Sequence, residues 1–180
     1  GVDEAQGRAV GGDLEGAEEL GELGGGHRGA AGRDEGEAGD VIGIVGHDIY
    51  EGIRQGSRGY PRFTDPSLRG PEKYYDYLKM ATEKSLERCQ TSKFDLLMLH
   101  NPDSISYTSD KVWDAFTALK TDGLTDRLGI APGPANGFTL DMIECFERFG
   151  DRMDWAMIIL NPFEPWPGQH VLGAAAKNNV

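Results

Sequence analysis

Phe94-Asp95-Leu96-Leu97-Met98-Leu99-His100-Asn101-Pro102-Asp103 is an apolar run that ends abruptly in a histidine, an asparagine and a proline. Such a run reads as a strand of a parallel sheet, covered on both faces. In α/β folds the chemistry gathers at the carboxyl ends of the strands, which is where His100 falls. The plainer reading of His100 is a loop histidine that caps its strand.

Outward from this strand the pattern repeats. Residues 41–45 read as a short strand, followed by a turn at Gly46-His47-Asp48. Residues 51–70 are rich in Gly, Arg, Ser and Pro and read as a long loop, a length that in compact domains usually carries function or motion. Pro71 opens a helix at its first position, and Tyr74, Leu78, Ala81 and Ser85 recur at helical spacing as far as about Gln90. Residues 110–122 form a second helix, with Val112, Phe116 and Leu119 on one face and Gly123 as its stop. Residues 127–131 are the next strand, Thr139 caps a third helix ending at Gly150, residues 155–160 are another strand closed by Asn161-Pro162, and residues 169–178 are a last helix. Strand and helix therefore alternate as in βαβ units of a parallel sheet, in a barrel or a doubly wound sheet. No G-x-G-x-x-G follows any strand, which weakens the dinucleotide-binding form of the latter.

Composition divides the chain in two. Residues 1–39 hold 13 of the 26 glycines and ten acids against three arginines, and no aromatic residue. Such a segment buries almost nothing and is expected to be disordered, with at most a short amphipathic turn around residues 13–23. Every residue from Gly1 to Val41 belongs to a type encodable by a codon beginning with G or C. A GC-rich gene read out of frame has this property, so residues 1–40 are expected to be either a misframed translation or a low-complexity linker, and residues 41–180 the globular unit. The formal net charge of -12 argues against general affinity for nucleic acid or anionic membranes. No apolar run is long enough to cross a bilayer. No leader is visible, and Cys89 and Cys145, not in a C-x-x-C pair, are expected to be free thiols, which together point to the cytosol.

The run Ser85-Leu86-Glu87-Arg88-Cys89-Gln90-Thr91-Ser92-Lys93 followed by Phe94-Asp95-Leu96-Leu97-Met98-Leu99-His100-Asn101-Pro102 resembles the signature of the aldo/keto reductases, in which a helix ending "SLxRL" leads into "DLLxLHxP". Gly123-Leu124-Thr125-Asp126-Arg127-Leu128-Gly129-Ile130 resembles the family's "GKVRxIGV", Asn161-Pro162 its "YNP", and Gly46-His47-Asp48-Ile49-Tyr50 the turn after its lysine-bearing strand. The resemblance implies a partial (β/α)8 TIM barrel and reduction of a small aldehyde or ketone with NADP(H) or NAD(H). It further implies that hydride passes to the carbonyl carbon, a tyrosine protonates the oxygen, a histidine orients it, a lysine lowers the tyrosine's pKa and an aspartate holds the lysine. Carried over residue by residue, it makes His100 catalytic. It places Asn161, Ala131 and Pro132 at the cofactor and Asn101 and Trp166 at the substrate.

The departures are as informative. Ile44 stands where the lysine belongs, and no Phe or Tyr precedes Tyr50, so the segment carrying the aspartate and tyrosine is missing. Gly129-Ile130-Ala131-Pro132 and a Gly-Pro loop replace "GVSN", and Met157 replaces a glutamine. A closed barrel needs about 250 residues, and the strands that hold the cofactor phosphates are not found. The chain is therefore expected to be inactive and poorly stable alone, with a non-catalytic binding or pseudo-enzyme barrel as the alternative. A third reading, another barrel enzyme pairing His100 with Asp103 or Asp95, lacks any nucleophile or metal, and Asp95 belongs to the far end of its strand. His47 and Asp48 are expected to be solvated and divergent, as is the basic loop of Arg54, Arg58, Arg62 and Arg69. Trp113 and Trp155 are expected to pack, Trp166 to lie on a loop, and Tyr50 to be at best a remote substitute acid. His27 and His170 have no ligand-like neighbours, and no metal site is expected.

Overall fold

A computed structural model describes residues 40–56, 59–132 and 139–180. The readings made for residues 1–39, for Arg58 and for the Gly-Pro loop at 133–138 lie outside the described residues.

Four strands, β1 (Ile42–Val45), β2 (Phe94–His100), β3 (Thr125–Ala131) and β4 (Trp155–Ala156), form one sheet in sequential order, every neighbour parallel. Parallel neighbours joined in order by helices are consecutive staves of a (β/α) barrel. The helices are α1 (Tyr74–Cys89), α2 (Ser104–Thr108), α3 (Asp110–Thr121), α4 (Thr139–Phe149) and α5 (Trp166–Lys177).

Each helix forms for a local reason. Pro71 begins a 3-10 turn, Pro71–Lys73, that runs into α1. Tyr74, Tyr77, Leu78, Ala81, Ser85 and Cys89 are its buried stripe, and Gln90 ends it in a left-handed conformation. α2 is an element the sequence reading does not contain: Asp103 caps it by accepting from the Ser106 N–H at 2.8 Å. In α3, Val112, Trp113, Phe116 and Leu119 are all buried. Gly123, at φ +77°, makes the turn into β3.

The core lies between sheet and helices. Leu97, Leu99, Leu128 and Ile130 meet Leu78, Trp113, Phe116, Phe146 and Phe149 there. Trp113 is stacked on Phe149 at 5.4 Å and meets Phe116 edge-on at 5.8 Å. The opposite face of the sheet carries a smaller cluster, Leu96, Met98 and Ala131 with Ile42 and Ile44.

Three readings of this region are corrected. The last strand stops at Ala156 instead of 160, because it is an edge with no described neighbour on its outer side. Trp155, on that edge, is 50% exposed and not a packing residue. Trp166 begins α5 and is not on a loop, since Pro167 suits the first turn of a helix.

Both cysteines are free and buried. Burial pushes the Cys145 thiol up from 9.0 to about 12. A thiol that ionises more readily unfolded than folded leaves stability untouched below about pH 9 and erodes it between about 9 and 12. Cys145→Ser should flatten that alkaline loss, read as the urea midpoint against pH.

Candidate functional site

The parallel register delivers the carboxyl ends of β1, β2 and β3 to one edge. His100 pairs with Ala131, and β1 runs past it through Gly46 to His47. Gly46 is required there: a Cβ would sit 2.1 Å from the His100 carbonyl oxygen. Gly46→Ala should therefore force β1 and β2 apart, costing about 1–3 kcal/mol in urea unfolding and moving the His100 ring resonances.

His47 and His100 meet with ring centroids 5.8 Å apart at 44°. The His47 ring is held from two sides. Its Nδ1 lies 3.0 Å from the Tyr60 carbonyl oxygen, and Arg62 Nη1 lies 2.5 Å from its Nε2 and 2.9 Å from its Nδ1. A carbonyl only accepts and a guanidinium only donates, so these partners favour the tautomer with the proton on Nδ1 and the lone pair on Nε2. Asn101 Nδ2 makes a longer contact to the same Nε2, 3.5 Å. Asn101 sits at φ +46°, a conformation asparagine tolerates, and its N–H donates to the Ala131 carbonyl at 2.7 Å.

Behind His47 lies a buried ionic and aromatic support. Asp48 is fully buried; its Oδ1 accepts from the N–H groups of Tyr50 (3.2 Å), Glu51 (2.8 Å) and Gly52 (3.1 Å), and its Oδ2 accepts from Arg69. Arg69 also donates to the Phe63 carbonyl and lies 4.1 Å over the Tyr77 ring. The Tyr77 hydroxyl donates to the His47 carbonyl at 2.9 Å. Neither His47 and Asp48 nor Arg62 and Arg69 are the solvated loop residues expected of them. The loop folds back against β1, with Asp48 N–H donating to Pro61 O and Phe63 N–H to Gly46 O. Only their position just past a parallel strand's carboxyl end signalled this.

Other expected site residues fall elsewhere. Asp103 is committed as a cap and to the Thr64 hydroxyl at 2.6 Å, and Asp95 accepts the Val41 N–H at the opposite end of the sheet. Ile44 pairs with Met98 and packs into the apolar cluster. The Tyr50 hydroxyl accepts from Arg88 on α1, 2.6 Å away. Trp166 meets His170 edge-on at 4.9 Å. Burial raises the Tyr77 and Tyr107 phenols above their ordinary range, making them poor acids. Among the described residues no group of three or more His, Cys, Asp or Glu is arranged to hold a metal, and no helix is long and apolar enough to cross a membrane.

The residues expected at a nicotinamide carboxamide are partly engaged within the chain. Asn161 turns its Oδ1 onto the N–H groups of Phe163 and Glu164, both at 3.0 Å, the Ala131 carbonyl is taken by Asn101, and Pro132 has no N–H. Met157, in place of a glutamine, is exposed and offers no amide.

Comparison with known proteins agrees with this geometry. None of the curated proteins matches the chain. Among solved structures, a protein described as an aldo-keto reductase from Pseudomonas aeruginosa matches at 20% identity and TM-score 0.52, over 77% of this chain and 46% of its own. A glycerol dehydrogenase from Gluconobacter oxydans matches at 21% identity and TM-score 0.55, over 79% and 38%. An aldo/keto reductase from Klebsiella pneumoniae, solved with NADP and acetate, matches more loosely at 25% identity and TM-score 0.40, over 53% and 35%. The chain thus spans less than half the length of these relatives, and the likeness is one of fold: consecutive staves of a (β/α)8 barrel. The model of the aldo/keto reductase family matches residues 51–180, which hold β2 to β4, His100 and the loop that folds onto His47. On that match the chain belongs to the aldo/keto reductase family.

Proposed function

We propose that this chain carries the carbonyl-facing histidine of an NAD(P)H-dependent carbonyl reductase and does not itself turn over. The observation that supports this reading is the position of His100, at the carboxyl end of β2 and beside β1 and β3, within the block that resembles the family signature. There a ring N–H directed at an aldehyde or ketone oxygen stabilises the charge that reduction develops on it. The rest of the machinery has no counterpart among the described residues. Ile44 takes the lysine's place, the buried tyrosines hold their protons too tightly, and Asn161 is spent on its own turn. Asn101 is the neighbour best placed to touch a substrate at His100, while Trp166 would line the mouth of the site.

The alternative of a non-catalytic barrel module draws on one feature, the apolar packing of Ile44 where a charge belongs. NADPH oxidation at 340 nm with small aldehydes and ketones tests both. We expect no rate above background; turnover that His100→Ala abolishes would overturn the inactive reading. A single cooperative thermal transition of the full chain would favour the binding module over an unstable fragment.

A further inference from the structure

Arg62 is a half-buried cation with no carboxylate in hydrogen-bond or ion-pair contact among the described residues. Its contacts among the described residues are with His47, through Nη1, leaving Nε and Nη2 unengaged. Burial costs the guanidinium enough to lower its pKa, and the carboxylate that acts on it, Asp103, is committed to Thr64 and Ser106. A guanidinium held this way presents a fork suited to a planar carboxylate.

We propose that the Nε and Nη2 edge of Arg62, beside His47, Asn101 and His100, forms an anion site that takes the carboxylate of a small carbonyl acid whose carbonyl oxygen lies toward His100. This rests on the carbonyl-facing reading of His100. One guanidinium balances one negative charge, and a net charge of -12 disfavours a dianionic phosphate. His47 touches both: Arg62 Nη1 lies 2.5 Å from its Nε2, and its ring centroid lies 5.8 Å from that of His100. A carboxylate on Arg62 and a carbonyl at His100 call for a ligand that carries the two groups on a spacer, as in 4-oxo acids.

The test uses the full 180-residue chain with 15N-labelled histidine rings. The probes are 4-oxopentanoate, its uncharged counterpart 2-pentanone, and acetate. We expect saturable shifts of both His47 and His100 with 4-oxopentanoate, and affinity at least about tenfold weaker for 2-pentanone. Arg62→Gln should lose a similar factor, and Arg62→Lys, which keeps the charge without the fork, less; near-UV circular dichroism verifies that both remain folded. If 2-pentanone binds as well, or Arg62→Gln binds unchanged, the anion site is overturned while the carbonyl reading of His100 stands. If acetate and 4-oxopentanoate both shift His47 and neither 4-oxopentanoate nor 2-pentanone shifts His100, the carbonyl reading itself falls, and the proposed substrate class with it.

Discussion

Asp48→Ala should destabilise the chain by about 3–5 kcal/mol, because it strands a buried guanidinium. Arg69 and Asp48 are both buried, and Glu51, the other carboxylate on Arg69, has a side chain 59% exposed. Removing Asp48 also orphans the N–H groups of Tyr50, Glu51 and Gly52. Two comparisons separate these effects in urea unfolding. Asp48→Asn keeps an acceptor for the turn and loses the charge, so it should fall between wild type and Asp48→Ala. Glu51→Gln removes a solvent-screened carboxylate and should cost no more than about 1 kcal/mol. Equal losses for Asp48→Ala and Glu51→Gln would show that the buried pair is not what secures the loop. The loss would reach the candidate site as well, since Tyr77, lying under Arg69, holds the His47 carbonyl.

Trp113→Ala is expected to be as severe, at about 3–5 kcal/mol, by a different route. Trp113 is fully buried between Phe116 and Phe149, and its Nε1 donates to the Ser106 carbonyl at 3.2 Å. Truncation removes the packing that joins α3 to α4 and the hydrogen bond to the Ser106 carbonyl of α2. Against a typical total stability of about 5–15 kcal/mol, this removes much of what holds the four described strands and their helices together. Trp155→Ala, at a half-exposed edge position, should cost about 1 kcal/mol or less. Near-UV circular dichroism during unfolding reads both; comparable losses would contradict a core centred on Trp113.

Much of the fold was legible because it rests on local pattern. The apolar run of β2 reads as a buried strand of a parallel sheet, and the helical spacing in α1 and α3 matches the faces they bury, whereas in α4 Leu140, expected on the buried face with Ile143 and Phe146, is exposed. Less was legible wherever an element exists through a neighbour. α2 depends on a cap from Asp103, a residue that reads equally well as a loop acid. The reach of β4 depends on whether another strand lies beyond it, which an apolar run at residues 155–160 cannot report.

The candidate site divides along the same line. The sequence by itself determined the strand that ends in His100, the resemblance built around it and the replacement of the lysine by Ile44, since each is a matter of residue order. Only the tertiary structure decided that His47 faces His100, that Arg62 stands on His47, and that Asp48 is buried against Arg69. The physical reason is that parallel strands place their carboxyl ends side by side whatever their separation in sequence. A loop then folds back over that edge to satisfy its own backbone, and the electrostatics arise from charges that sequence spacing does not bring together.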